Sequence, residues 1–493
     1  MTTKRIGLLL GPLFFFLILG LFRPAALGTP GVAVLATTAW MAVWWITEAV
    51  PIAVTALLPI VLFPLTGGLD LETTTAAYGH RFVFLFLGGF LIAMTIEKWD
   101  LHHRIALGTI ALIGSNVRLI ILGAMVATWL LSMWISNTAT AVMMLPIAAA
   151  IVAQLRDDPT TPEVDENDQF GKAFMLAVAY SASIGGMASL IGTPVNLVLV
   201  GVVQEAFGVE ITFAQWFTIG FPVSLLLLAL CWWYLTRVAF QFEKAGFAGG
   251  RQEVRRQLAA LGPMSREEKK VLVVFTLTAL AWIFRTSVLQ PFIPGLDDPI
   301  IAMAGGIALF LIPGRSIDEP LLTWQEAVRL PWGIILLLGG GFALASGFGG
   351  SGLADFIGSS LRVPEHVGLI VVILLITTAV NFLTEITSNV ATTSMLMPVF
   401  AAAAIPLGIH PYALMVPATL AATCAFMLPV ATPPNAVVFG SGYLTIPDMV
   451  RAGLWLNLIS IVVITLFCYF VLPLLWGFDA GIVPEWGAVR GVN

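Results

Sequence analysis

The chain has 493 residues, of which 59% are hydrophobic and only 10% charged, with a formal net charge of −5 and a mean hydropathy of +0.96. A soluble globular protein of this composition would have almost no polar surface to cover its core, so soluble domain classes are excluded. The apolar runs are continuous rather than alternating and approach the ~20 residues that one helix needs to cross a bilayer, which excludes a β-barrel. The class that remains is an all-α polytopic membrane protein, with the lipid bilayer as its solvent and no nucleic-acid partner expected.

In chain order, Ile6 to Phe22 follows Lys4 and Arg5 and has the outline of a signal peptide, with Ala25-Ala26-Leu27 as a weak cleavage site. It is taken here as a retained first helix. The candidate crossings are 6–22, 31–49, 51–66, 82–97, 173–206, 215–237, 271–290, 299–312, 331–348, 411–440 and 448–475. Two of them, 173–206 and 411–440, are interrupted by Gly-Thr-Pro or Ala-Thr-Pro-Pro and are expected to be broken helices. Two further apolar stretches, 118–154 and 366–404, carry a polar cluster at the centre and are too long for one crossing, so each is expected to be a re-entrant hairpin.

Charge sets the expected orientation. Segment 237–270 holds eight basic residues, among them Arg251, Arg255, Arg256, Lys269 and Lys270, and the positive-inside rule places it in the cytoplasm. Eleven crossings then put the N-terminus inside, together with Lys98, Arg104, Arg118, Arg315, Arg329 and Arg451, and leave Arg23, Arg81 and Arg362 outside. The stretch 156–170, with six acids between Asp157 and Asp168, is expected to be a solvated loop.

The polar clusters repeat. Ser136-Asn137-Thr138-Ala139-Thr140 recurs 252 positions later as Ser388-Asn389-Val390-Ala391-Thr392, and Leu87 to Ala93 recurs at the same spacing as Gly339 to Ala345. Thr193-Pro194-Val195-Asn196 recurs as Thr432-Pro433-Pro434-Asn435 after 239 positions, the shortfall being about the length of the acidic loop. Each half contains an odd number of crossings, so the two repeats are expected to be inverted, with hairpins entering from opposite faces.

At a hairpin tip, helix N-termini offer N–H groups to an anion, and C-termini offer carbonyls to a cation such as sodium. Ser132 and Ser136 are one turn apart and precede Asn137; Thr384, Ser388 and Asn389 repeat this, so each tip directs oxygens to one volume. The Thr-Pro breaks free carbonyls, with Gly192 and Ala431 small enough for close approach. One such cluster alone would be taken as hydrogen-bonding glue between helices; two in register, each followed by a broken helix, favour binding.

Weaker features complete the survey. Glu48 is an acid at the end of an apolar span, equally suited to a functional or a structural role. Glu385 is placed to bias the second tip or to cap its hairpin. His102-His103 is expected in a solvated turn, without the further ligands a metal needs. Trp44, Trp45, Trp232, Trp233, Trp324, Trp332, Trp455 and Trp476 suit interfacial belts. Cys231, Cys424 and Cys468 are expected to be buried packing residues, with neither a disulfide nor a metal site. No His-Glu-x-x-His and no Gly-x-x-x-x-Gly-Lys-Ser/Thr loop occurs, so neither an enzyme nor an ATP-driven pump is expected. A channel would show a continuous polar stripe rather than two polar tips.

The paired Ser-Asn motifs, Trp45-Ile46-Thr47-Glu48-Ala49 with Pro51, the run from Leu383 to Asn389 and the two Thr-Pro breaks resemble those of the divalent anion/sodium symporter family, the INDY-type di- and tricarboxylate transporters, over roughly residues 30 to 475. The resemblance implies a homodimer in which a transport domain slides past a scaffold in an elevator-type cycle. It divides the chain into scaffold helices 1–97, transport elements 98–238, a cytoplasmic basic linker 239–270, second scaffold helices 271–348 and second transport elements 349–475. It implies one sodium at Ser132, Ser136, Asn137 and Gly192, and a second at Thr384, Thr387, Asn389 and Ala431. Substrate carboxylates would meet Asn137, Thr138 and Thr193 from one half, and Ser388, Asn389, Thr432 and Pro433 from the other. Val390 departs from the pattern, which has Thr there. The function so implied is sodium-coupled import of a C4 dicarboxylate such as succinate, malate or fumarate across the inner (plasma) membrane. The alternatives are dicarboxylate exchange on the same fold, or symport of citrate or sulfate.

Overall fold

The computed structural model describes residues 3–114, 116–156, 166–240, 248–316, 319–360 and 367–488. Among these the regular structure is helical except for a short antiparallel ribbon, Pro313–Ser316 with Glu319–Pro320. Seven of the expected crossings form helical runs long and apolar enough to span a bilayer: Thr3–Leu21, Thr29–Thr47, Leu71–Lys98, Phe213–Ala239, Arg266–Leu289, Trp332–Gly350 and Ile446–Trp476. Their outward faces carry Leu9, Phe16, Leu277, Val462 and Leu474 in exposed positions, as a chain solvated by lipid requires. The helix Asp298–Leu311 is apolar but shorter.

The crossing expected at 51–66 is two pieces, Ile52–Thr55 and Leu58–Thr66. Pro59 has no N–H with which to continue the first piece. The Ala56 carbonyl at the break accepts the Tyr78 hydroxyl at 2.5 Å. The first helix packs along Thr29–Thr47, where the Trp44 indole donates to the Gly7 carbonyl at 3.1 Å. Trp45, expected in an interfacial belt, is instead a core residue at 2% exposure, its indole capping the Ile52 carbonyl. Glu48 is exposed and adopts a left-handed conformation (φ 46°) that ends its helix. All three cysteines are free and buried.

Both polar tips lie at the turns of helical hairpins. Val117–Ser132 and Asn137–Arg156 form one, Leu369–Thr384 and Asn389–Ala404 the other. Both breaks fall at the Thr-Pro motifs, between Glu166–Gly186 and Pro194–Phe207 and between Pro411–Ala422 and Pro433–Phe439. The prolines open the second halves, where a missing N–H costs nothing. Helix Pro194–Phe207 packs on Asn389–Ala404, and Pro433–Phe439 packs on Asn137–Arg156. Each broken helix is thus clasped by the hairpin of the other half.

The repeat extends beyond the motifs. Gly88 and Gly340, 252 positions apart, each lie where a Cβ would overlap a neighbouring backbone, at Ala302 in helix Asp298–Leu311 and at Ala56 in the break respectively. Asp100 (φ 56°) and Gly352 (φ 76°), also 252 apart, are both left-handed. Each precedes a helix that the sequence analysis missed, Leu101–Ile113 and Leu353–Ser360. His102 is therefore buried in a helix, its Nδ1 3.1 Å from the Ile96 carbonyl, rather than in a solvated turn.

The basic linker contains a helix, Ala248–Ala260, packed on Leu101–Ile113 and Asn137–Arg156. Arg104 ties that corner to Glu268 at 2.9 Å. Most of the acidic stretch, including Asp157, Asp158, Glu163 and Asp165, lies outside the described residues, as does Arg362.

Candidate functional site

The first tip brings three oxygens together around one proton. Ser132 Oγ, fully buried, lies 2.7 Å from Asn137 Oδ1 and 2.7 Å from the Ala182 carbonyl. A hydroxyl has a single proton and cannot satisfy both acceptors. The second tip repeats the cluster: Thr384 Oγ1, also fully buried, lies 2.5 Å from Asn389 Oδ1 and 3.1 Å from the Ala422 carbonyl. Hydroxyl, amide and carbonyl oxygens gathered in this way are favourable ligands for a hard cation.

The breaks are braced in matching ways. Asn196 Nδ2 donates to the Gly186 and Ser189 carbonyls at 3.2 and 2.7 Å. Asn435 Nδ2 donates to Ala425 and Leu428 at 3.1 and 3.0 Å. All three residues of one clasp stand 239 positions from those of the other. Gly186 is glycine because a Cβ there would overlap the Asn137 amide.

The remaining expected site residues divide. Gly192 is buried, and its N–H meets Ser189 Oγ at 3.1 Å. Thr193, Ala431 and Thr432 are buried, and Thr432 Oγ1 caps its helix by accepting from Asn435 N–H at 3.3 Å. Ser388 and Asn389 are half-buried and Pro433 is exposed. Thr387 is buried, but its hydroxyl is engaged within its own hairpin, with Leu383 O at 2.8 Å and Thr392 Oγ1 at 2.6 Å.

A cavity of about 680 Å³ opens beside the first tip, lined by Ser136, Thr138 and Ala139 with Phe90, Glu97, Lys98, Leu322, Glu326 and Arg329. Ser388, Asn389, Thr432 and Pro433 do not line it. Val390 packs against the apolar side chains of two separate clusters. Lys98 Nζ and Glu326 Oε2 pair at 2.9 Å on the cavity wall. Burial raises the Glu326 carboxyl, and hydrogen bonds from Lys98 and Thr323 outweigh that and hold it below its ordinary value. These wall charges were not singled out as site residues in the sequence, where the only signal is their position at the ends of apolar runs.

The other end of helix Arg81–Lys98 is closed by charge. Arg81 Nη1 meets Asp297 at 3.0 Å and its Nη2 meets Gln204 at 2.8 Å. Arg285, 4% exposed, reaches Asp297, Asp298 and Glu210 at 2.9, 2.9 and 2.8 Å. The second oxygen of Asp298 accepts the Phe213 N–H at 2.7 Å.

Among the described residues, Glu385 is the one acid buried beside a tip. Its carboxylate accepts from the N–H groups of Phe426, Met427 and Leu428 at 2.7, 2.9 and 3.1 Å, and from Asn457 Nδ2 at 2.7 Å.

Twin hairpins clasping twin broken helices, with polar tips inside an apolar bundle, define a secondary membrane transporter. Residues 3–476 match the family described as the sodium:sulfate symporter transmembrane region, and the chain belongs to that family. It is 47% identical to the sodium-dependent dicarboxylate transporter SdcS of Staphylococcus saprophyticus, over 97% of this chain and 93% of that protein. The SdcS of Staphylococcus aureus is 45% identical over 97% of this chain and 92% of its own. In fold the chain resembles the YdaH transporter of Alcanivorax borkumensis (TM-score 0.59, 16% identity, 90% of this chain and 98% of that one). It also resembles MtrF of Neisseria gonorrhoeae, described among antimetabolite efflux pumps (TM-score 0.57, 13% identity, 94% and 97%).

Proposed function

We propose that this protein is a sodium-coupled importer of a C4 dicarboxylate such as succinate, malate or fumarate. The observation that carries the reading is the duplicated cluster of hydroxyl, amide and carbonyl oxygens, each gathered around a single buried hydroxyl. Sodium supplies the missing positive charge at each tip: Ser132, Ser136, Asn137 and Gly192 hold one ion, and Thr384, Thr387, Asn389 and Ala431 the other. The dicarboxylate binds between the tips, at Asn137, Thr138, Thr193, Ser388, Asn389, Thr432 and Pro433. Neither tip carries Arg or Lys, so helix N-termini and the two bound sodium ions offset the substrate charge. The name borne by the SdcS relatives supports both the ion and the substrate class.

The two repeats are inverted, and the hairpins are re-entrant from opposite faces. By the positive-inside rule the N-terminus is cytoplasmic, and the cavity beside Ser136 opens inward, at the Lys98 end of its helix. Transport proceeds when the hairpins and broken helices slide as one body past scaffold helices held in a homodimer.

Purified protein in vesicles tests the reading. Succinate uptake down an inward sodium gradient is expected to fall at least tenfold when choline replaces sodium, and to need no internal dicarboxylate. Uptake that requires preloaded dicarboxylate and ignores sodium would establish exchange instead.

A further inference from the structure

We propose that Glu385 is a positioning residue that makes the second tip the first cation site to fill. The inference rests on the sodium coupling proposed above. Glu385 is 3% exposed and adjoins Thr384, whose hydroxyl belongs to the second oxygen cluster. Its carboxylate takes three consecutive backbone N–H groups of the break, Phe426 to Leu428, and a fourth from Asn457 on helix Ile446–Leu466. A carboxylate is acceptor-only when ionised, and four converging N–H donors suit that form.

The same break is pinned from its carbonyl side. Asn435 holds the carbonyls of Ala425 and Leu428, and Thr384 engages that of Ala422. Hairpin, break and a third helix are therefore locked together with no ion required, and a buried negative charge is fixed beside the oxygen cluster.

The first tip lacks this device. The position 252 residues before Glu385 is Met133, and what ties it to its break is its carbonyl, which accepts from Ser189 Oγ at 2.5 Å. The Ala188 N–H, counterpart of Met427, turns back to the Gly185 carbonyl at 3.0 Å. That join is neutral. A cation entering the second tip meets a nearby fixed charge; one entering the first meets a shell braced only by neutral groups.

The test is equilibrium binding of radioactive sodium to the purified full-length protein without dicarboxylate. Wild type is expected to bind one sodium at least tenfold more tightly than the next. Thr384→Ala removes the tight phase and Ser132→Ala leaves it. Glu385→Gln, which keeps the size and loses the charge, weakens the tight phase at least tenfold, whereas Asn457→Leu, which keeps the charge and loses one bond, weakens it less than threefold. The proposal is overturned if Ser132→Ala removes the tight phase instead, if Glu385→Gln leaves it unchanged, or if Asn457→Leu matches Glu385→Gln. The two hydroxyl variants decide the matter even where Glu385→Gln does not fold. Wild type that binds no sodium at all defeats the proposed coupling itself, and this inference with it.

Discussion

The tips and the Arg285 cluster hold helices together by opposite means. At the tips, pairing is mostly neutral, uses hydroxyls, amides and backbone carbonyls, and is built twice with nearly the same bonds. Around Arg285 it uses buried charge, joins Arg81, Glu210, Asp297 and Asp298, and among the described residues is built once, at one end of helix Arg81–Lys98. The other end of that helix opens into the cavity. Duplication suits a site that two halves must share. A single charged closure makes the two ends of the molecule unequal, and it links the segment from Gln204 to Phe213, which ends the first broken helix and opens the next helix, to helices outside the hairpins.

Five substitutions would break or sharpen this contrast. The largest effect is expected from Arg285→Leu, which strands Asp298 without its buried partner. Removing one member of a buried pair costs about 3–5 kcal/mol, and a lowered thermal midpoint in detergent should report it. An unchanged midpoint would mean that the cluster closes nothing. Gly340→Val comes next: the side chain would overlap the Ala56 backbone, and overpacking of this kind costs roughly 1–3 kcal/mol. Gly88→Val should lower the midpoint by a similar amount if the repeat is energetic as well as geometric, and a large inequality would count against that. Ser132→Ala removes one oxygen of the first cluster without a steric change and should raise the sodium concentration for half-maximal uptake at least tenfold, about 1.4 kcal/mol. The smallest effect is expected from Val390→Thr, because Val390 packs against apolar neighbours and does not line the cavity. It should shift the apparent affinity for succinate less than tenfold and leave the sodium dependence unchanged.

Much of the duplicated region is legible in the sequence because its determinants are local. Proline and threonine fix the breaks, the Ser-Asn clusters mark the turns, and equal spacing pairs them. The pairing of Ser132 with Asn137 follows from five residues of separation at a turn. What escaped was long-range. Helices Leu101–Ile113 and Leu353–Ser360 follow left-handed residues, Asp100 and Gly352, and only the second of these is a glycine that the sequence flags. Trp45 looks interfacial by type and is buried because the chain folds back through Pro51. The Arg285 cluster draws on acids 12 to 75 positions away, beyond the reach of any local pattern. Glu385 was visible as an acid near a tip, but its grip on three backbone N–H groups of a break some 41 residues on was not.

The most direct test of the central claim, that the two oxygen clusters are two coupled sodium sites, is simultaneous uptake of labelled sodium and labelled succinate into vesicles by wild type, Ser132→Ala and Thr384→Ala. The account predicts that sodium enters with succinate in wild type, and that each substitution alone raises the half-saturating sodium concentration at least tenfold. Succinate entry unaccompanied by sodium, or wild-type sodium dependence in both variants, would contradict it.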